Sequence, residues 1–431
     1  MTDSARIGAA RRSGRQRLGA RWRGILGPGL VTGASDDDPS GIGTYSQAGA
    51  QFGYGLLWTL LFSYPLMVAI QEISARIGRS TGRGIAGNLK LHQPRWHAGT
   101  LVLLLGLANI VNLGADLGAM GAALKLLIAG PQLLYVCVLG ATCLLLEIFV
   151  GHARYTALLR WLCLSLVSYV ICALVSDVDW SGVARALVWP QSPGQPGYAM
   201  AVVAILGTTI SPYLFFWQAQ EEVEACRQHP NGALHGATAR SEFRRIRLDT
   251  LTGMAISNLI AVCIVIATAG ALHAHGQTTI ETAAQAAAAL QHVAGPFTFA
   301  VFALGIVGTG LLAVPVLAGS AAYALGECLS WRVGLAQPPG RARAFYAAIA
   351  LATGLGCALN FTPINPIRAL YWSAVLNGVV AVPVMIAMMR LSTRAAVMGG
   401  HTLPLGLRLL GWVATAAMAG AVLALIVSWI L

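Results

Sequence analysis

Apolar residues dominate eleven successive stretches of this chain, near 24–52, 54–75, 99–129, 132–152, 155–175, 197–225, 248–271, 295–327, 344–359, 366–389 and 405–430. A helix that crosses a bilayer needs roughly 20 mainly apolar residues, so the pattern predicts eleven spanning helices in series. Two stretches are interrupted from within. The first breaks at SDDDPSG (Ser35 to Gly41) and the sixth at GTTISPYLF (Gly207 to Phe215). Proline removes a backbone donor and clashes with the preceding turn, so carbonyls near Pro39 and Pro212 are freed from helical pairing. Irregular backbone at membrane depth is tolerated only where protein or a watery cavity covers it.

The two prolines lie 173 residues apart with five spans per unit. An odd number of spans inverts the second unit relative to the first. Corresponding broken helices in two inverted halves mark the binding site of a secondary transporter. The expected organisation is a tail over 1–23, five-helix units over 24–175 and 197–389, and an additional helix over 405–431. Lys and Arg fix the orientation. With the N-terminus inside, 25 of the 28 basic residues fall on the inner side, leaving Lys125, Arg185 and Arg368 outside. The N-terminus is then cytoplasmic and the C-terminus external.

Composition agrees with the pattern. The 431 residues are 56% hydrophobic and 10% charged, with mean hydropathy +0.68, whereas soluble domains carry about 25% charged residues. The net charge of +12 raises nucleic acid as a partner. Its concentration in ARIGAARRSGRQRLGARWRG, with no small-residue cleavage site after it, instead reads as a cytoplasmic tail beside anionic lipid headgroups. The eight cysteines are scattered singly, mostly in apolar runs, without metal-ligand or redox spacing. No cofactor motif and no nucleophile–base pair is present, which argues against an enzyme.

The chemistry concentrates at the breaks. A charge at the bilayer centre costs about 2.5–3.5 kcal/mol on the gentler insertion scale, and three consecutive aspartates sit at the first break. The residues there are Asp36, Asp37, Asp38, Ser40, Thr208, Thr209 and Ser211, with no Met, Cys or His. Carboxylate, carbonyl, hydroxyl and water select Mg²⁺, Ca²⁺ and Mn²⁺, while thioether and thiolate select softer metals. Extended backbone alternates side-chain directions, so at most one of Asp36 and Asp37 is expected to join Asp38. Asp37 is retained as that candidate.

GPGLVTGASDDDPSGIGTYSQAGAQFGYGLLW resembles the first helix of the Nramp family of divalent-metal transporters, and GTTISPYLFFWQAQ resembles its sixth. GADLGAMGAAL (Gly114 to Leu124) is similar to its third helix, and the eleven-span layout covers essentially the whole chain. The resemblance implies a LeuT-like inverted repeat with helices 1 and 6 broken. It places Asp38 on the metal-binding aspartate, Ser35 on a coordinating backbone carbonyl and Thr208 on that carbonyl's partner in the sixth helix. Asp116 falls on the third-helix aspartate. The sequence departs where the substrate is chosen. Gly41 replaces an asparagine ligand and Ser211 replaces the methionine. Ala119 replaces a third-helix glutamate, and Tyr213 and Gln218 replace two sixth-helix histidines. The match is best to the Nramp-related magnesium transporter branch.

Further polar residues fall within spans. Asn112, Asn258 and Asn377 read first as interhelical hydrogen-bonding residues, whereas Asp116, as an intramembrane carboxylate, is a functional candidate. Glu147 reads as structural, and EEVEACR (Glu221 to Arg227) as a solvated cytoplasmic helix end. The expected function is import of a hard divalent cation, Mg²⁺ before Mn²⁺, as transported substrate rather than cofactor, without obligate proton coupling. A proton-coupled Mn²⁺ or Fe²⁺ symporter is the alternative. An organic-solute transporter fits less well, because three aspartates repel an organic anion. The oligomeric state is not encoded in these patterns.

Overall fold

A computed structural model describes residues 32–33, 35–150, 166–175, 178–191, 193–228, 236–291 and 295–430. The basic tail, the start of the first expected span and most of the fifth lie outside the described residues. Among those described there is no β-strand. In chain order the α-helices are α1 (Pro39–Phe52), α2 (Leu57–Thr81), α3 (Ile85–His92), α4 (Arg95–Leu127), α5 (Gln132–Phe149), α6 (Val167–Val175), α7 (Trp180–Val188) and α8 (Tyr198–Thr209). They continue as α9 (Pro212–Gln228), α10 (Gly236–Ala271), α11 (Ala283–Ala288), α12 (Thr298–Leu329), α13 (Arg343–Leu359), α14 (Pro366–Ser392), α15 (Ala395–Met398) and α16 (Leu405–Ile430).

Eight helical stretches among the described residues are long and apolar enough to cross a bilayer: 57–81, 95–127, 132–149, 198–227, 238–275, 295–329, 366–392 and 405–430. Helix α13 is a shorter apolar helix, and α1 and α6 are the described parts of the first and fifth expected spans. The ends run further than hydropathy alone places them. Helix α4 starts at Arg95 rather than 99, and α10 at Gly236 rather than 248. Their 33 and 36 residues exceed the roughly 20 that the hydrocarbon core requires, because helical pairing continues into the polar interface.

Both expected breaks occur. Residues 35 and 36 are helical, the helix lapses at Asp37 and Asp38, and α1 restarts at Pro39. In the second half, Ile210 and Ser211 separate α8 from α9, which restarts at Pro212. Each proline is the first residue of its new helix, where the missing N–H would have had no helical partner.

Around the breaks the helices approach closely. Helix α1 packs on α8, α10 and α14, while α4 packs on α12, α13 and α14. Without a hydrophobic force between helices in lipid, small residues permit such packing. A Cβ placed on Gly207 of α8 would stand 2.1 Å from Ala374 O and 2.5 Å from Gly378 N of α14. The outward faces carry apolar side chains, among them Leu409, Val413, Leu423 and Val427 of α16.

The segment EEVEACR is only in part the solvated helix end expected: Arg227 is exposed and most of the run half-buried, but Glu222 and Val223 are buried. Glu222 is fully buried and takes a two-pronged contact from Arg245 Nη2, at 2.7 and 3.1 Å. Glu224 accepts from the Tyr323 hydroxyl and, at 2.9 Å, from Leu335 N. The extension of α10 below its apolar stretch brings Arg245 against α9, which sequence spacing could not reveal.

Gly207→Ala should lower the detergent melting midpoint by the equivalent of about 1–3 kcal/mol, the usual cost of overpacking. Gly99→Ala, where nothing stands within 4 Å of the added methyl, should leave it unchanged or raise it. Scanning fluorimetry of both variants checks this, and equal midpoints would contradict the close packing of α8 on α14.

Candidate metal centre

Asp38 occupies the N-cap of α1. Its backbone is extended (φ −66°, ψ 168°), and its Oδ1 accepts from Gly41 N at 2.6 Å. A carboxylate there meets unpaired N–H groups and the positive end of the helix dipole. Asp38 Oδ2 accepts from Asn112 Nδ2 of α4 and from the Tyr213 hydroxyl of α9, each at 3.1 Å. The same tyrosine hydroxyl lies 3.1 Å from Ser35 O. Three elements far apart in sequence therefore meet on one buried carboxylate.

A second carboxylate serves the same helix end. Asp116 Oδ1 accepts from Ser40 N at 3.1 Å, so two adjacent amides of α1 are held by two different aspartates. The Ser40 hydroxyl lies 3.0 Å from Leu370 O and 3.0 Å from Ser373 Oγ of α14.

Gly41 lies against the centre of this group. A Cβ there would stand 3.1 Å from Asp36 O, 3.1 Å from Thr208 Oγ1 and 3.4 Å from Asp38 Oδ1. Three oxygens from the two breaks thus face one small volume. The first two distances are tighter than ordinary contact, so the asparagine that Nramp resemblance places here would force its neighbours aside. Thr208 supplies its hydroxyl to this volume from the last turn of α8.

The remaining expected residues are placed differently. Asp37 Oδ1 and Asp36 Oδ2 share the Ser257 hydroxyl of α10, at 3.2 and 2.6 Å. Among the described residues, no three Asp, Glu, His or Cys side chains converge in a group able to hold a metal, so the SDDD run is split between two sets of partners. The Ser211 hydroxyl turns back to Gly207 O and Thr208 O, both at 2.8 Å, and satisfies carbonyls released by the break. Asn377 of α14 is buried, with no hydrogen-bond partner for either amide atom among the described residues. Asn258 of α10 is half-buried and its Oδ1 is likewise unpartnered there. Gln218 accepts from the Thr32 hydroxyl. Glu147, expected to be structural, is buried beside Gly319 of α12.

Asn112, read from the sequence as an interhelical hydrogen-bonding residue, makes such a bond to the metal-site candidate Asp38, while Ser257 is the residue that sequence reading passed over. Asn112 lies one helical turn before Asp116, so the i, i+4 spacing put both on one face of α4. Nothing in the sequence pairs Ser257 with the aspartates.

A bundle of long apolar helices in which two broken helices meet on a buried carboxylate is the architecture of a secondary transporter. The chain belongs to the Nramp family: the profile described as natural resistance-associated macrophage protein-like matches residues 29–428. It is a multi-pass membrane transporter and not an enzyme. The protein named divalent metal cation transporter MntH of Klebsiella pneumoniae (strain 342) is 28% identical over 296 residues, covering 67% of this chain and 68% of that protein. The fold is similar to the Eremococcus coleocola manganese transporter, with a TM-score of 0.73 and 18% identity over 93% of this chain and 86% of that one. It is also similar to Mhp1, a nucleobase-cation-symport-1 family transporter in a closed conformation, with a TM-score of 0.55 and 13% identity over 92% and 91% of the two chains.

The N-cap geometry separates charge from fold. Asp38→Asn keeps an oxygen acceptor for Gly41 N, and Asn caps helices as well as Asp does. It should melt near the wild-type midpoint yet lose saturable divalent-metal binding. Asp38→Ala should lose both, with a stability loss of about 0.5–2 kcal/mol. Calorimetric titration beside a melting curve reads the two effects. Wild-type binding by the asparagine variant would move the metal away from Asp38.

Proposed function

We propose that this Nramp-type transporter of divalent metal cations imports a hard ion, Mg²⁺ first and Mn²⁺ second, without obligate coupling to protons. The observation that carries the reading is the oxygen donor set beside Gly41: Asp38 Oδ1, Asp36 O and Thr208 Oγ1 all lie within 3.1–3.4 Å of the point where a Cβ on that glycine would stand. Ser35 O, with the Asp38 carboxylate, completes an all-oxygen environment. Mg²⁺ gives up water reluctantly and is commonly held by one or two carboxylates with several waters retained. One carboxylate amid carbonyl and hydroxyl oxygens matches that habit. Neither Gly41 nor Ser211 offers sulfur or nitrogen to a softer metal.

Two five-helix units, 24–175 and 197–389, would carry alternating access by moving about the paired breaks, with 405–431 as an additional helix. The N-terminus is assigned to the cytoplasm, beside anionic headgroups, and the C-terminus to the outside. This orientation rests on the 25 inner basic residues.

Uncoupled transport is supported by the residues at the positions where the family resemblance would place titratable groups. Histidine is the side chain whose unperturbed pKa lies near working pH, and the two sixth-helix positions hold Tyr213 and Gln218. The third-helix position holds Ala119. The membrane potential supplies a driving force of its own. At roughly 2.3 kcal/mol per charge per 100 mV, a divalent cation gains about 4.6 kcal/mol.

The alternative is a proton-coupled Mn²⁺ or Fe²⁺ symporter. It draws on the manganese and divalent-cation names of the relatives and on Asp116, a buried carboxylate adjoining the site. Proteoliposomes loaded with a pH dye decide between them. Imposing a negative-inside potential should drive Mg²⁺ entry with no internal acidification. Stoichiometric proton entry that disappears in Asp116→Asn would establish the symporter instead.

A further inference from the structure

Tyr213 holds a position that the transport reading leaves without a role. Its side chain is buried, and its hydroxyl lies 3.1 Å from both Asp38 Oδ2 and Ser35 O. A phenol carries one proton to donate. Two acceptors therefore converge on a single donor atom, at the place where a cation bridging the aspartate and the carbonyl would sit. The ring belongs to the first turn of α9, directly after the break at Ile210 and Ser211.

We propose that Tyr213 is the specificity-determining residue of the metal centre, its hydroxyl acting as a latch that occupies the bridging position between Asp38 and Ser35. A cation that sheds water to bind Asp38 Oδ2 and Ser35 O directly must displace this hydroxyl. A cation that keeps its water shell need not, because it meets the site's oxygens through its waters rather than by taking the bridging position itself. The latch thus penalises Mn²⁺ and Cd²⁺ while leaving Mg²⁺ nearly unaffected, since Mg²⁺ is the ion most reluctant to dehydrate. Asn112 donates to the same Asp38 oxygen but lies on α4. It steadies the carboxylate without bridging to Ser35. The inference rests on Asp38 being the metal-binding carboxylate of the proposed function.

The test is calorimetric titration of the full-length protein and of Tyr213→Phe with MnCl₂ and with MgCl₂. A hydrogen bond to a charged group contributes enough to change a binding constant about tenfold. The phenylalanine variant should therefore bind Mn²⁺ about tenfold more tightly, with Mg²⁺ affinity little changed. A loss of both affinities would make the hydroxyl a ligand and overturn the latch. No change in Mn²⁺ affinity, or an equal gain for both ions, would overturn it as well. Packing alone would not alter the ratio between two metals. If the wild type fails to bind Mg²⁺, the proposed substrate preference falls, while the Mn²⁺ comparison still judges the latch. A second measurement avoids the variant altogether. With fluorotyrosine incorporated at position 213, the ¹⁹F resonance should shift on adding Cd²⁺ and stay in place on adding Mg²⁺. An unchanged resonance with bound Cd²⁺ would show that the hydroxyl is not displaced.

Discussion

One carboxylate at membrane depth organises this protein. Asp38 can remain in an apolar surround only because donors from three separate segments reach it: Gly41 N of its own helix, Asn112 of α4 and Tyr213 of α9. An intramembrane charge without such partners is costly, so the partners must be in place whenever the bundle is assembled. That requirement ties the break in the first helix to the break in the sixth. It also ties both to the helix that carries Asp116. The site and the fold are therefore one arrangement of the same contacts.

Charge is distributed with a clear logic around this centre. The positive end of α1 meets Asp38 and Asp116 at successive amides. On the α10 side, Asp36 and Asp37 share Ser257. Away from the centre, ionised groups tie the ends of helices together. Glu222 pairs with Arg245, and Glu327 accepts from Gly84 N and Gly87 N at 2.7 and 2.8 Å, fastening α12 to the start of α3. A Cβ on Gly84 would fall 2.6 Å from Glu327 Oε2 and 2.3 Å from Gln220 Nε2. A methyl at that position would press on the ends of two flexible side chains, so it would have to displace the Glu327 carboxylate from its contacts.

Much of this was legible from residue pattern. Hydropathy found the long helices, and proline chemistry located both breaks to within a residue or two, because a missing N–H and a steric clash act locally. Asp38 stood out because three carboxylates in an apolar run demand an explanation. Substitutions at Gly41, Ser211, Tyr213 and Gln218 gave the chemical character of the donor set before any geometry was known.

Other features depended on contacts between segments far apart in the chain. The SDDD run is a single acidic motif in sequence, yet tertiary structure divides it, sending Asp38 to Asn112 and Tyr213 and the other two aspartates to Ser257. Asn112 read as an interhelical hydrogen-bonding residue, but that its partner is Asp38 emerged only with α4 against α1. Ser211 read as a candidate oxygen ligand at the break, whereas its hydroxyl closes carbonyls at the end of α8. The segment Glu221 to Arg227 read as solvated, and α10, through Arg245, holds its Glu222 in a buried pair. Hydropathy and proline placement act over a few residues, so the sequence by itself determined the helices, their interruptions and the kind of ligand atoms present. Which atoms face one another depends on helix rotation and close approach across the bundle, set by pairs such as Gly207 on Gly378, and only the tertiary structure decided that.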